Sequence, residues 1–221
     1  MVSLEVWGKY ACFSRSEMKT ERVSYDVITP SAARGILDAI YWHPGITWNI
    51  LSIKVCNPIR FVNIRRNEVK SRISKPSLGV IASSENTGKS LYLDVTRDRQ
   101  QRSSMVLRDV RYIIEASFTL SPTCADRNNP GKIQSIITRR IKKGQCFHQP
   151  CLGCREFSAR FQPPTNDYEC PEALKGEKDL GWMLFDFEYS NKEDIRPMYY
   201  RPLMKDGVIS VPLRDSSEVI S

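Results

Sequence analysis

Apolar and polar residues alternate through residues 2–13, the period-two pattern of a strand with one buried face. Thr29, Pro30 and Ser31 then open a different pattern. Ala33, Ile36, Leu37 and Ile40 recur at helical spacing, which predicts a helix running to about Trp42, where His43, Pro44 and Gly45 stop it. Alternation returns over residues 46–63, interrupted near Asn57 and Pro58. Residues 64–107 are polar and basic with weak periodicity, and predict a long insertion folded as a hairpin. Residues 109–121 read as another strand. Between Asp126 and Gly144 the helical period is back. Asn129 is placed to cap, Pro130 suits the first helical position, and Ile133, Ile136, Ile137 and Ile141 make an apolar stripe that Gly144 can end. Residues 150–163 predict a further strand. Beyond Pro163 and Pro164 come a polar linker to about residue 180 and strands over 182–190 and 198–204. Asp206-Gly207 then makes a hairpin turn into residues 208–213.

The order strand, helix, strand, strand, helix, strand predicts an α+β protein of ferredoxin-like arrangement, an antiparallel sheet with two helices on one face. The domain reading is a ferredoxin-like body over 1–164, carrying the insertion 64–107, and a small antiparallel β appendage over 165–221. Hydrophobic residues make up 41% of the 221, enough for a packed core and against wholesale disorder. Sheets of this type commonly bind RNA, but the aromatic signature of an ordinary RNA-recognition motif is missing.

Charge sharpens the picture. The net charge is +8, unevenly spread. Residues 1–164 hold 26 basic and 13 acidic residues, a balance of +13, whereas residues 165–221 hold 7 basic and 12 acidic, a balance of −5. A basic body with an acidic tail points to a polyanion partner for the body. The second helix concentrates the effect, with Arg127, Lys132, Arg139, Arg140, Lys142 and Lys143 around its stripe. Arg60, Arg65, Arg66, Lys70, Arg72 and Lys75 make a second basic run, and Arg97, Arg99, Arg102, Arg108 and Arg111 a third. A plain solvated helix whose late cations complement the dipole is the competing reading. The start shows no secretory leader, no stretch is apolar enough to span a membrane, and seven cysteines is an odd number for a secreted disulfide scaffold. A cytoplasmic protein without membrane contact is expected. Cys146, His148, Cys151 and Cys154 crowd four sulfur and nitrogen ligands into nine residues, too compressed for the usual paired zinc knuckles, and are expected to be thiols without metal.

Four segments carry a resemblance: residues 6–42, the IYWHP run at 40–44, RNNPGKIQSIITRRIKKGQCF at 127–147, and CLGCREFSARFQP at 151–163. They resemble the CRISPR-associated type I-C family of repeat-processing endoribonucleases, within the repeat-associated RNA-binding superfamily. The resemblance implies an enzyme that binds the stem-loop of a CRISPR repeat transcript, cuts at its 3′ base without metal or cofactor, and leaves a 2′,3′-cyclic phosphate. It also implies partners: the processed crRNA, and the backbone and large subunits of the interference complex. On motif position the family's tyrosine falls on Tyr41 and its lysine on Lys132. Ile133 stands where a histidine often does.

Attack by a ribose 2′-OH needs a proton acceptor, positive charge on the phosphorane and a proton donor for the leaving oxygen. A tyrosine hydroxyl, ordinarily ionising near pH ~10, is better suited to orienting the 2′-OH than to taking its proton. Lys132 near a helix N-terminus is suited to holding the phosphate. His43, two residues after Tyr41, is the candidate for the missing base, ahead of His148. Two rival readings remain: a non-cutting subunit that binds the crRNA 5′ tag, favoured by Ile133, and a duplex-DNA-binding protein, supported by basicity alone.

Overall fold

A computed structural model describes residues 1–18, 21–71, 94–121, 129–165, 167–189 and 193–221. The chain divides into two compact units, residues 1–62 with 105–221, and residues 63–104.

The larger unit is α+β, built on an antiparallel sheet. Its elements are β1 (Val2–Ala11), the short β2 (Arg22–Val23), α1 (Pro30–Ile40), β3 (Ile46–Val55), the later part of β5 (Arg99–Leu120), α2 (Pro130–Lys143), β6 (Arg160–Gln162) and five C-terminal strands. The strand order runs β6-β1-β5-β3 and continues to the C-terminal strands. Register follows the alternation in the sequence. Leu4 faces Ile114 and Val6 faces Tyr112 across β1 and β5, while Ile53 and Val55 meet the same two residues from β3. All six are buried. The intervening positions, Glu5, Arg111, Glu115, Ser52 and Lys54, carry the polar groups of the other face. α1 packs on β3, and α2 packs on β1 and β6 and touches α1. α2 buries Ile133, Ile137 and Ile141, each contributing roughly 2 kcal/mol through area removed from water.

The helix boundaries follow local chemistry. Thr29 caps α1, its hydroxyl accepting from the Ala32 N–H at 3.2 Å, with Pro30 in the first turn. α1 stops at Ile40, two residues short of the expected Trp42, because Tyr41 turns extended (φ −146°) ahead of the His43-Pro44 pair. Asn129 caps α2 by accepting from the Gly131 N–H at 2.8 Å, and Gly144 ends it left-handed at φ 63°. Asp126, expected at the start of this helix, lies outside the described residues.

Two expectations need correction. The strand expected over 150–163 is confined to Arg160–Gln162. Leu152, Phe157 and Ala159 are buried, but within a tight loop. Leu152 donates to the Phe157 carbonyl at 2.8 Å, and Gly153 is left-handed at φ 84°, which no strand accommodates. The C-terminal residues do not stand apart as an appendage. β7 (Glu177–Asp179), β10 (Leu203–Lys205) and β11 (Val208–Ser210) extend the main sheet, with β11 paired to β3. They cover the edge that β3 would otherwise leave open. β8 (Met183–Glu188) and β9 (Arg196–Tyr200) form a second, two-stranded sheet, and α1 packs against β8. The D-G turn reads as expected, with Asp206 and Gly207 both at positive φ.

In the smaller unit the outer part of β4 (Phe61–Val69) pairs with the start of β5. Ser103 donates to Asn63 at 2.6 Å, and Ser71 donates to Asp98 from both its N–H (2.7 Å) and its hydroxyl (2.8 Å). No helix among the described residues is long and apolar enough to cross a membrane.

Candidate nucleic-acid site

Tyr41 ends α1. Its N–H closes the last turn on the Leu37 carbonyl at 2.9 Å, and its side chain is buried. α1 has no basic residue in its own last turn. The positive charge comes instead from α2, whose Arg140 donates from Nη1 to the Ile40 carbonyl at 2.7 Å. The same guanidinium lies over the Tyr41 ring, 5.1 Å from its centroid, within cation–π range. The chain leaving α2 completes this junction: Phe147 and His148 both donate their N–H to the Ala39 carbonyl, at 2.9 and 3.0 Å. Among the described residues no hydrogen bond engages the Tyr41 hydroxyl.

His43 stacks beside Tyr41, ring centroids 6.5 Å apart and planes 19° off parallel. Its Nδ1 lies 2.7 Å from the Pro44 carbonyl. A carbonyl only accepts, so Nδ1 carries the proton, and in the neutral ring Nε2 carries the lone pair. His148 is exposed, with its ring edge-on to Phe147 at 4.3 Å.

Tyr41, His43 and Arg140 are therefore brought together. Lys132 is not in direct contact with them. It sits exposed in the first turn of α2, about 12 Å of helix rise from Arg140. No acid pairs with it among the described residues. Ile133 is buried, one side chain of the α2 stripe. Arg139, Lys142 and Lys143 are exposed and have no ion pair among the described residues. They crowd the helix end whose dipole favours cations.

The other basic runs fare differently. Arg111 pairs with the buried Glu5, which also accepts from Gln162 at 2.9 Å. Arg108 pairs with Asp109 at 3.0 Å, in the larger unit. Within the smaller unit Arg97 pairs with Asp94 at 3.3 Å and Arg102 with Glu68 at 3.8 Å. These arginines have local acid partners. Arg65 and Lys70 are exposed in that unit and Arg66 is half-buried. Arg72, Lys75 and Arg127 lie outside the described residues.

The cysteine run does not converge. Cys151 turns its thiol to the Gly153 carbonyl at 3.9 Å and Cys154 to the Cys12 carbonyl at 3.7 Å. Hydrogen bonding with Cys12, and then burial, push the Cys154 thiol up. Among the described residues no group of three or more His, Cys, Asp or Glu is placed to hold a metal ion.

Arg140 was legible in the sequence as a cation, but its place over Tyr41 was not. A contact between residues so far apart in the chain has no local signal. The Arg34, Asp38 and Asp186 network was also missed. Only the i,i+4 spacing of Arg34 and Asp38 hinted at it.

An α+β body gathers a tyrosine, a histidine and an arginine at one helix end, with exposed cations along the next helix, an arrangement suited to a polyanion. A family model described as CRISPR-associated protein (Cas_Cas5), of the Cas5d type, matches residues 1–212. The chain belongs to this Cas5d family of CRISPR-associated proteins. It is 46% identical over 224 residues to the CRISPR pre-crRNA endoribonuclease Cas5d of Mannheimia succiniciproducens, covering 99% of this chain and 97% of that one. It is 37% identical over 236 residues to the protein of the same description from Thermus thermophilus, covering 99% and 94%. A solved structure described as the crystal structure of a CRISPR-associated protein shares the fold, with a TM-score of 0.69, 24% identity and coverage of 99% and 95%.

Proposed function

We infer that this protein is a pre-crRNA endoribonuclease that cuts CRISPR repeat transcripts at the 3′ base of the stem-loop. The observation that carries the reading is its full-length identity of 46% to a relative named for that activity. The gathering of Tyr41, His43 and Arg140 supports the end of α1 as the place where the RNA is cut. In this reading the ribose 2′-OH attacks the adjacent phosphorus, the bond to the 5′-oxygen breaks as that oxygen takes a proton from water, and the products end in a 2′,3′-cyclic phosphate and a 5′-hydroxyl. His43 takes the 2′-OH proton on Nε2, Tyr41 orients that hydroxyl, and Lys132 stabilises the pentacoordinate phosphate. Because the 2′-OH and the phosphorus it attacks lie about 3 Å apart, this reading requires the long Lys132 side chain to reach along α2 toward the Tyr41 end when RNA binds. Arg65, Arg66, Lys70, Arg72, Arg127, Arg139, Arg140, Lys142 and Lys143 are the cations that contact its backbone, since A-form RNA is read by shape and phosphate.

The body is ferredoxin-like, a reading supported by the strand order β6-β1-β5-β3 with both helices packed on the sheet, and residues 64–107 are its basic insertion. The processed crRNA stays bound, and the protein joins the backbone and large subunits of the interference complex in the cytoplasm.

One observation favours a second reading, a subunit that binds the crRNA 5′ tag without cutting: Ile133 is buried where the family often has a histidine. A labelled repeat hairpin incubated with the protein in excess EDTA decides between them. A single cut leaving a cyclic phosphate is expected, and tight binding with intact RNA would overturn the nuclease reading. Lys132→Ala is expected to abolish cutting while keeping most of the affinity, because many other cations hold the backbone. Equal loss of both removes Lys132 from the catalytic set. Competition by duplex DNA at moderate salt is expected to be weak.

A further inference from the structure

Arg140 is a half-buried cation without a carboxylate. Arg15, Arg34 and Arg214, the other half-buried arginines of the larger unit among the described residues, each hold one: Arg15 pairs with Asp26 at 3.5 Å, Arg34 with Asp186 at 2.9 Å and Arg214 with Glu188 at 3.1 Å. Arg140 pairs with no acid among the described residues, and Asp38, in the last turn of α1, is taken by Arg34 at 3.0 Å. The partners of Arg140 are neutral. Nη1 donates to the Ile40 carbonyl at 2.7 Å, and the guanidinium carbon lies 5.1 Å from the centroid of the Tyr41 ring. Its further donors, Nε and Nη2, make no hydrogen bond among the described residues. Nor are they sealed off. Among the described residues the buried side-chain nitrogens and oxygens without a partner belong to Tyr25, Trp48 and Ser104. The open donors of Arg140 therefore reach solvent, and so does the unbonded hydroxyl of Tyr41. A charge drawn partly out of water without a counterion is unfavourable. An open Nε and Nη2 pair is the planar fork that grips a phosphate by two oxygens.

We infer that Arg140 is a catalytic residue: through Nε and Nη2 it grips the scissile phosphate and stabilises the charge that builds on the non-bridging oxygens as the ribose 2′-OH attacks. The inference rests on the reading of the chain as a nuclease that cuts at Tyr41. Position favours this phosphate over the others of the backbone. The guanidinium lies on the ring that carries the open phenol, whereas Lys132 starts about 12 Å of helix rise away. A carboxylate from a protein partner fits the fork. A nucleotide fits the fork with its phosphate and the open phenol with its ribose hydroxyl. Held by the Ile40 carbonyl and the Tyr41 ring before RNA arrives, the charge needs little reorganisation at the moment of reaction. Arginine stays protonated throughout. It therefore moves no proton: that of the 2′-OH still goes to His43, and the leaving 5′-oxygen still takes its own from water.

The test is single-turnover cutting of a repeat hairpin in EDTA by the wild type and by Arg140→Gln, with affinity measured in parallel. At saturating protein Arg140→Gln is expected to cut about a hundredfold more slowly, the loss that follows removal of one donor to a developing oxyanion. Its binding should weaken no more than about tenfold. A brace between α2 and the Ile40 carbonyl would also slow cutting when lost, so the hairpin is remade with sulfur for one non-bridging oxygen of the scissile phosphate, each diastereomer separately. One diastereomer should slow the wild type about tenfold through a weakened charge-assisted hydrogen bond and bring no further loss in Arg140→Gln. Sulfur at the flanking phosphates should slow neither protein. Arg140→Lys, which keeps a donor for Ile40 but not the fork, replaces Arg140→Gln if that protein does not fold, and should cut slowly with a reduced sulfur effect. Wild-type rates in a folded variant, or a sulfur effect of equal size in both proteins, would overturn the inference. So would a sulfur effect that vanishes in the variant at a flanking phosphate instead, which would make Arg140 an ordinary backbone contact. Cutting without this coupling sinks the role of Arg140 alone. Intact RNA with the wild type sinks the nuclease reading, and the phosphate contact then stands or falls on whether sulfur weakens binding by the wild type and not by the variant.

Discussion

A methyl group at residue 153 would stand 1.9 Å from the Cys12 carbonyl oxygen, and the backbone there is left-handed at φ 84°. Both facts demand glycine, and they explain why the LGCREF stretch has one at its second position. Gly153→Ala should cost about 3 kcal/mol, from strain and overpacking together. Gly144 separates the two contributions. It too is left-handed, at φ 63°, but nothing lies within 4 Å of the added atom, so Gly144→Ala should cost only about 1 kcal/mol. Urea unfolding midpoints of the two variants check this, and equal losses would mean that the contact with Cys12 contributes nothing. The same contrast shows what a residue discloses about itself. Tyr41, His43 and Lys132 could be singled out from motif position. The exposure of Lys132, and the choice of Arg140 rather than Lys132 to lie over Tyr41, depend on how α2 crosses the end of α1, and no single residue encodes that.

Elements were legible where their signals are local. The cap and the left-handed end of α2 are chemistry within three residues of each boundary, and Asn129, Pro130 and Gly144 perform as their types suggest. The strand expected over 150–163 failed because a loop buries apolar residues without strand spacing: Leu152 and Phe157 stand five apart, on opposite faces of any strand, yet both are buried. The C-terminal strands were legible as strands, but not as the continuation of the main sheet, since edge pairing between β3 and β11 joins residues far apart in sequence. Cross-strand pairs are invisible for the same reason. One of them has a measurable consequence. Glu115 of β5 accepts from Lys54 and from Ser52 of β3, each at 2.6 Å, and the two hydrogen bonds, that of Lys54 first, hold its carboxyl below the usual range. A depressed folded value means that the ionised form favours the native state. The contribution is therefore fully present above the unfolded value, about 4.3, and is lost as pH falls through the lower, folded one. Glu115→Gln should be less stable than the wild type by about 1 kcal/mol around neutral pH, with the gap closing in acid. A gap that stays constant from neutral pH into acid would deny the ionised pair its role.

At the scale of the whole molecule the charge asymmetry is the feature that contact with RNA would use, and the structure separates cations that are free to meet it from cations that are not. Arg139, Lys142 and Lys143 are exposed and have no ion pair among the described residues, whereas Lys175 and Lys205 hold Glu172 and Glu177 at 2.5 and 2.8 Å. Phosphate contacts release condensed counterions, so each one steepens the fall of affinity with salt by roughly 0.7 to 0.9 in the log–log slope. Replacing Arg139, Lys142 and Lys143 together by glutamine should therefore flatten the slope for repeat RNA by about 2. Thermal stability should move by no more than about 0.5 kcal/mol per site, as surface positions do. Lys175→Gln with Lys205→Gln, which removes almost as much charge from the acidic region, should leave the slope unchanged. Titrations of one labelled hairpin over a series of salt concentrations give all three slopes. Equal flattening by the two sets would mean that net charge alone, and no particular face of α2, draws the RNA in.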